Sequence, residues 1–118
     1  MIVERTPANP EISLSGTADE LRALAAVIRE GGEIEPVRVT RGAGDVLIES
    51  AGDSLLITGS PDKLDVLADT VEGQAEHPLT PDGRPAHTHV DYFPGHFYLH
   101  PDSVPVVITT RMAEPKGL

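Results

Sequence analysis

Hydrophobic residues recur at the three- and four-residue spacing of an amphipathic helix in two stretches of the chain. The apolar positions of the first stretch are Leu21, Leu24, Ala25 and Ile28. Thr17 and Glu20 stand ahead of them at the spacing of a capping box, in which each side chain accepts a hydrogen bond from a free backbone N–H. Gly31 follows them, and glycine readily adopts the left-handed backbone that ends a helix. The pattern therefore predicts a helix that begins after Thr17 and ends at Gly31.

A second stretch repeats this arrangement further along the chain. Its apolar positions are Leu64, Leu67, Ala68 and Val71. Ser60 stands at the N-cap position, and Pro61 takes the first helical position, where the missing N–H of proline costs nothing. Gly73 predicts the end of this second helix.

Alternating and short continuous apolar runs outside the two helices predict β-strands, because successive side chains of a strand point to opposite faces. Turns that contain glycine and aspartate separate several of these runs. The predicted strands are Ile12–Ser15, Val37–Thr40, Val46–Glu49, Leu55–Thr58, Ala86–Tyr92 and Val104–Thr109. One strand precedes each helix and two follow it, so the predicted order is β-α-β-β, twice.

The two halves of the chain also align with each other. Ile12–Leu21 matches Leu55–Leu64 through a short strand, a hydroxyl-glycine-hydroxyl turn and the start of a helix. We therefore predict an α+β fold, a two-layer sandwich from a duplicated β-α-β-β unit with two helices on one face of a mostly antiparallel sheet. Residues 1–118 are expected to form a single domain, with repeat one at about 10–50 and repeat two at about 54–110.

The chain is strongly acidic, with a formal net charge of −10 at pH 7. Residues 1–76 carry 15 of the 19 acidic side chains, so the field comes mainly from the first two-thirds of the sequence. A field of this sign repels phosphate backbones and attracts basic surfaces. The charge therefore argues against nucleic acid as a partner and favours a basic protein.

The absence of cysteine excludes disulfides, thiolate zinc sites and a cysteine nucleophile. No basic start followed by a long apolar run stands at the N-terminus, so a secretory signal is not expected. The longest apolar runs, such as Val104–Ile108, are too short to span a bilayer. These features predict a cytoplasmic protein that does not associate with membranes.

Most of the side chains that could bind a metal or a partner, or take part in catalysis, lie in an insertion of repeat two, at residues 77–103. All five histidines fall between His77 and His100, and all four aromatic residues fall between Tyr92 and Tyr98. The aromatic residues suit either of two roles, closing one end of the core or forming a protein-binding surface. An intermediate arrangement has the phenylalanines inside and the edges of the tyrosines outside.

The predicted strand at Ala86–Tyr92 has two faces of different chemistry. One face carries His87, His89 and Asp91, and the other carries Thr88, Val90 and Tyr92. Two imidazoles and a carboxylate on one face suit a partial metal site, since neutral imidazole is a common ligand for zinc and related metals. The alternative is that Thr88, Val90 and Tyr92 face the helices and leave the histidines on the open face of the sheet. The spacing does not match that of a strong metal motif such as His-Glu-x-x-His.

Catalytic chemistry has little support in the sequence. Ser103 lies close to His100 and Asp102 in the chain, but sequence neighbours do not form a triad, and there is no Gly-x-Ser-x-Gly elbow. We therefore predict no catalytic residue and no enzyme activity.

The run from His89 to Ile108 resembles the C-terminal signature of a small bacterial immunity-protein family, immunity protein 32, which is found beside polymorphic toxins. The residues that carry this resemblance are Asp91-Tyr92, Pro94-Gly95-His96, Tyr98-Leu99, Pro101-Asp102-Ser103 and Pro105-Val106-Val107-Ile108. The resemblance implies a non-enzymatic protein of toxin–antitoxin type that binds and blocks a cognate toxin domain, without a cofactor. Such toxins are often enzymes with basic surfaces, which agrees with the acidity of this chain.

The histidine- and aromatic-rich insertion is the predicted contact surface for that partner. Its candidate residues are His87, His89, Asp91, Tyr92, His96 and Tyr98. Two alternatives stay open. One is a metal- or small-ligand-binding domain that uses the face formed by His87, His89 and Asp91, and the other is a homodimer through the open face of the sheet.

Overall fold

A computed structural model of the chain describes residues 1–6 and 9–111. Within these residues the chain forms two helices, α1 (Ala18–Glu30) and α2 (Pro61–Glu76), and eight strands. The strands are β1 (Ile2–Thr6), β2 (Asn9–Gly16), β3 (Gly32–Ile34), β4 (Val37–Arg41), β5 (Leu47–Ala51), β6 (Ser54–Gly59), β7 (His87–Val90) and β8 (Val106–Thr110). Two strands precede each helix and two follow it.

The strands form two four-stranded sheets. The first sheet has the order β1-β2-β8-β7, and the second has the order β3-β4-β6-β5. At the centre of each sheet lies a parallel pair, β2 with β8 and β4 with β6, and the outer pairs are antiparallel. Each sheet therefore joins the two strands before one helix to the two strands after the other helix.

The predicted α+β class is confirmed, but the single sheet of the prediction is replaced by these two sheets. Side-chain alternation specifies which face of a strand is buried and does not specify its neighbour, so the parallel pairs were not visible in the sequence. The prediction also missed two edge strands. In β1 the charged residues Glu4 and Arg5 hide the pattern, and β3 has only three residues. The duplication of a β-α-β-β unit stays a prediction.

The buried side chains of both helices and both sheets form one hydrophobic cluster. The apolar faces that the sequence predicted for the two helices are confirmed, and all eight of those positions are buried. Between the helices, the Arg29 guanidinium of α1 bonds to the carboxylates of Glu72 and Asp69 on α2. These bonds, the one to Glu72 foremost, hold the pKa of Arg29 above its ordinary value.

The beginning of α1 agrees with the sequence in detail. The backbone N–H of Glu20 donates to Thr17 Oγ1 at 3.2 Å, and the N–H of Thr17 donates to Glu20 Oε1 at 2.9 Å. This is the predicted capping box. The helix ends at Gly31, whose φ of 80° lies in the region that favours glycine.

The ends of α2 differ from the prediction in two ways. Ser60 occupies the N-cap position, but its hydroxyl donates to Asp62 Oδ1 at 2.7 Å instead of capping a backbone N–H. That hydrogen bond is the first cause of a lowered pKa at Asp62. The helix also continues past the predicted stop at Gly73 and ends at Glu76, because Gln74 and Ala75 are buried against the sheet.

Candidate protein-binding site

Strand β7 lies at one edge of the first sheet and carries two histidines on its open face. His87 and His89 are exposed, whereas Val90 is buried and Thr88 is half-buried. The predicted alternation of this strand is therefore confirmed at these four residues. The two imidazole rings touch edge to face, with their centroids 5.1 Å apart. Asp91 follows the strand and is also exposed.

The inner face of β7 is fastened to the end of α2 by Gln74. This amide is only 3% exposed and has a partner at each polar atom. Its Nε2 donates to the carbonyl of Ala86 at 3.0 Å and to Thr110 Oγ1 at 2.9 Å. Its Oε1 accepts from the hydroxyl of Thr88 at 2.7 Å. The position of the two exposed histidines thus depends on a satisfied polar group on the other side of their strand.

An aromatic turn, defined as residues 92–98, follows β7 and is centred on His96. Its imidazole lies parallel to the ring of Phe97 at 6.0 Å and makes an edge contact with Tyr98 at 4.5 Å. The ring centroids of Phe93 and Tyr92 lie 4.7 and 6.4 Å from that of His96. The histidine thus touches all four aromatic residues of the chain.

The exposed fractions of these rings are the opposite of those predicted for the phenylalanines and for Tyr98. Phe97 is 65% exposed, Phe93 58% and Tyr92 38%, whereas Tyr98 is only 7% exposed. The predicted intermediate arrangement had the phenylalanines inside and was wrong. The ring that packs in the core is that of Tyr98. Burial also raises the pKa of the Tyr98 phenol.

The aromatic turn is held in place by polar contacts to its backbone. His96 Nδ1 accepts hydrogen bonds from the backbone N–H groups of Leu99 at 3.2 Å and Tyr98 at 3.4 Å. Lys63 of α2 donates from Nζ to the carbonyl of Phe97 at 2.6 Å. The exposed rings therefore sit on a fixed turn, and Phe93 and Phe97 are members of this surface that the sequence prediction omitted from its candidate residues.

The chain then crosses from the second sheet to the first, over residues 99–105. Val46 forms a parallel bridge with Leu99 beside β5. The hydroxyl of Ser103 donates to the carbonyl of Val46 and accepts from the N–H of Ile48, both at 3.1 Å. Val104 donates its N–H to the carbonyl of Ile48 at 2.9 Å, after which the chain enters β8. This crossing segment is therefore bonded to the backbone at the start of β5.

The alternative of a metal site finds no support in the geometry. Among the described residues, no three histidine, cysteine, aspartate or glutamate side chains come together in a way that could hold a metal ion. A polar surface cleft of about 240 Å³ lies beside the β3–β4 and β5–β6 turns. None of the six predicted contact residues lines this cleft.

The part of the chain just described is also the part that matches a known family. Residues 54–111 match the Immunity protein 32 family. The resemblance to immunity protein 32 that the sequence predicted is confirmed, and the match also takes in β6 and α2. No curated protein and no solved structure shows significant similarity to this chain. In the described part of the chain, neither helix is both long enough and apolar enough to cross a membrane.

Proposed function

We propose that this chain is an immunity protein that binds a cognate toxin domain and neutralises it by direct contact, without catalysis. The observation that carries the proposal is the match of residues 54–111 to the Immunity protein 32 family. The match includes β7, the aromatic turn and the crossing segment.

The exposed rings support a role in protein recognition. Phe93, Phe97 and Tyr92 lie on one turn beside the exposed His87 and His89 strand. Clustered exposed aromatic residues mark interaction sites, because the free energy of the system falls when such apolar surface is removed from water. The proposed contact residues are His87, His89, Asp91, Tyr92 and His96, together with Phe93 and Phe97. Tyr98, which is buried, would support this surface from below.

The charge of the chain indicates the kind of partner. A net charge of −10 attracts a basic protein and repels both nucleic acid and a second copy of this chain. A homodimer is therefore disfavoured on electrostatic grounds. The same field would speed the encounter with a basic toxin domain, especially at low salt. A cytoplasmic location is part of this proposal.

Two polar side chains of the crossing segment are hydrogen-bonded to the backbone, which favours a binding function over a catalytic one. The Ser103 hydroxyl donates to the carbonyl of Val46, just before β5, and accepts from the N–H of Ile48 in β5. His100 Nδ1 accepts the N–H of Asp102 at 3.0 Å and so is directed at the backbone. Among the described residues no imidazole or carboxylate is hydrogen-bonded to this hydroxyl, which favours a conformational role for Ser103.

A growth-rescue assay tests the proposal. The C-terminal domain encoded by the neighbouring gene is expressed in a susceptible bacterium with and without this chain, and complex formation is followed by gel filtration. We expect rescue and a complex that elutes as one species. A Phe93→Ala, Phe97→Ala double variant should lose rescue while its melting temperature stays near that of the wild type. Leu79→Ala is the matched control, because Leu79 is a large exposed hydrophobic residue outside the proposed surface.

Two results would contradict the proposal. A toxic neighbouring domain that this chain neither relieves nor binds would remove its basis. A double variant that rescues as well as the wild type would show that the aromatic turn is not the contact surface.

A further inference from the structure

The four edge strands of the two sheets are protected to different degrees. An unprotected edge presents free backbone N–H and C=O groups that can pair with another strand, and proteins usually block such edges with charges, bulges, shortness or covering segments. The edge strands are β1 and β7 in the first sheet and β3 and β5 in the second.

Three of these edges carry an evident block. Strand β1 has the charged residues Glu4 and Arg5 and a break in register between Arg5 and Thr6. Strand β3 has three residues and includes Glu33. Strand β5 includes the charged residue Glu49, and the crossing segment bonds to the backbone at its start, at Val46 and Ile48.

Strand β7 is also short, with four residues, but it carries no charged residue and no break in register. Its sequence is His-Thr-His-Val, without a lysine, an arginine, a carboxylate or a proline. Its register with β8 is regular from His87 to Val90, so no bulge turns the edge away. Within residues 1–6 and 9–111, its backbone makes no hydrogen bond other than those to β8. Among the residues that the structure describes, nothing pairs with the outward N–H and C=O groups of this strand.

We infer that the free edge of β7 receives an extended strand of a basic protein, which lengthens the first sheet by one strand. This inference rests on the proposed function and names the way in which the toxin domain would bind. In strand addition the main chain supplies the hydrogen bonds, and the alternate side chains supply the specificity. The added strand would place one set of side chains beside His87 and His89 and the other set beside Thr88 and Val90.

Charge selects the occupant of this edge. A second copy would bring together two chains that each carry a net charge of −10, whereas a basic segment would be attracted to the same edge. Asp91, which directly follows the strand and is exposed, provides a carboxylate at the end of the docking edge. The aromatic turn begins one residue later, so an added strand and the exposed rings would form one continuous contact.

Residue-resolved amide hydrogen exchange tests the inference, with the full chain alone and in complex with the C-terminal domain encoded by the neighbouring gene. Successive amides of an edge strand point alternately to the neighbouring strand and to the open edge. Strand addition should therefore slow exchange about tenfold or more at alternate residues of β7, either His87 and His89 or Thr88 and Val90. The amides of β1, at the opposite edge of the same sheet, should not change and serve as the internal control.

The other outcomes separate this inference from the function on which it rests. A complex without alternate protection in β7 would overturn strand addition and leave immunity by direct binding intact. The absence of any complex would overturn both. Protection of β7 that grows with the concentration of this chain alone would assign the edge to a second copy, and would also overturn the inference.

Discussion

The Nδ1 atom of His96 accepts a hydrogen bond from the backbone N–H of Leu99 at 3.2 Å. This bond requires an imidazole that is unprotonated at Nδ1, and it fixes the plane of the ring on which the aromatic turn is assembled. His96 thus belongs to the proposed contact surface and also maintains the conformation of that surface.

Substitution of His96 should therefore affect binding more than folding. We expect His96→Ala to weaken binding to the toxin domain about tenfold, because exposed rings lose their common support, and to lower stability by about 1 kcal/mol. His96→Asn, which retains a short acceptor, should recover part of the affinity. Isothermal titration gives the affinity, and urea unfolding gives the stability. Equal binding by His96→Ala and the wild type would contradict this role.

Removal of the buried amide of Gln74 should be costly. In Gln74→Leu the hydroxyl of Thr88 and the carbonyl of Ala86 lose their partners inside the protein, and we expect a loss of about 1–3 kcal/mol in the free energy of unfolding. Adding Thr88→Val removes one of the unsatisfied groups, so the double variant should be more stable than the sum of the two single changes predicts. Additive losses in urea unfolding would show that the two side chains are not coupled.

Glu20 makes the free energy of unfolding depend on pH between 4.5 and about 2. Its carboxylate accepts hydrogen bonds from the amino group of Met1 and from the backbone N–H of Thr17, and these lower its pKa from 4.5 to about 2. Because the folded pKa lies below the ordinary one, the ionised group stabilises the fold above pH 4.5, and this contribution is lost as the pH falls towards 2.

The Glu20→Gln variant tests this dependence. We expect it to be less stable than the wild type at neutral pH and to lose less stability between pH 4.5 and pH 2. Glu49→Gln, at an exposed position of β5, is the control for the loss of one negative charge. Parallel stability curves for Glu20→Gln and the wild type across this range would disprove the assignment. Urea unfolding at each pH provides the measurement.

Reversal of acidic residues away from the proposed contact surface should slow association. We expect Glu30→Lys with Glu49→Lys to lower the association rate about tenfold at low salt, and to flatten its dependence on salt, because the attraction of a basic partner is reduced. Glu30→Gln with Glu49→Gln should give an intermediate rate, and dissociation should change little in both. Stopped-flow mixing at several salt concentrations measures these rates. Rates that do not differ from the wild type would exclude steering by these residues.

Local signals in the sequence were sufficient to place most of the regular structure. Thr17 and Glu20 predicted the start of α1, and the alternation from His87 to Val90 predicted which side chains of β7 face outwards. Both features are set by residues that are neighbours in the chain. The end of α2 at Glu76 could not be predicted in this way, because it depends on the hydrogen bond between Gln74 and Thr110, which are distant in sequence.

The position of the candidate surface could be predicted from the sequence, but the exposure of its side chains could not. The histidines and aromatic residues were found by composition, which located the aromatic turn. Their exposure depends on tertiary contacts, since Tyr98 is buried because it packs in the core formed by both helices and both sheets. The protection of one sheet edge and the openness of another also depend on strand order, which no local pattern contains.

The central pair of the first sheet has a consequence for biosynthesis. Ile12 of β2 pairs with Val106 of β8, so this parallel pair cannot form until residue 106 has left the ribosome. Both β4 and β6 are synthesised well before that point, and the second sheet can assemble its parallel pair first. Contacts between residues so distant in sequence form slowly, because a long loop must be closed before the contact is gained. Completion of the first sheet should therefore lag behind the synthesis of β2 by the time needed to make and insert β8.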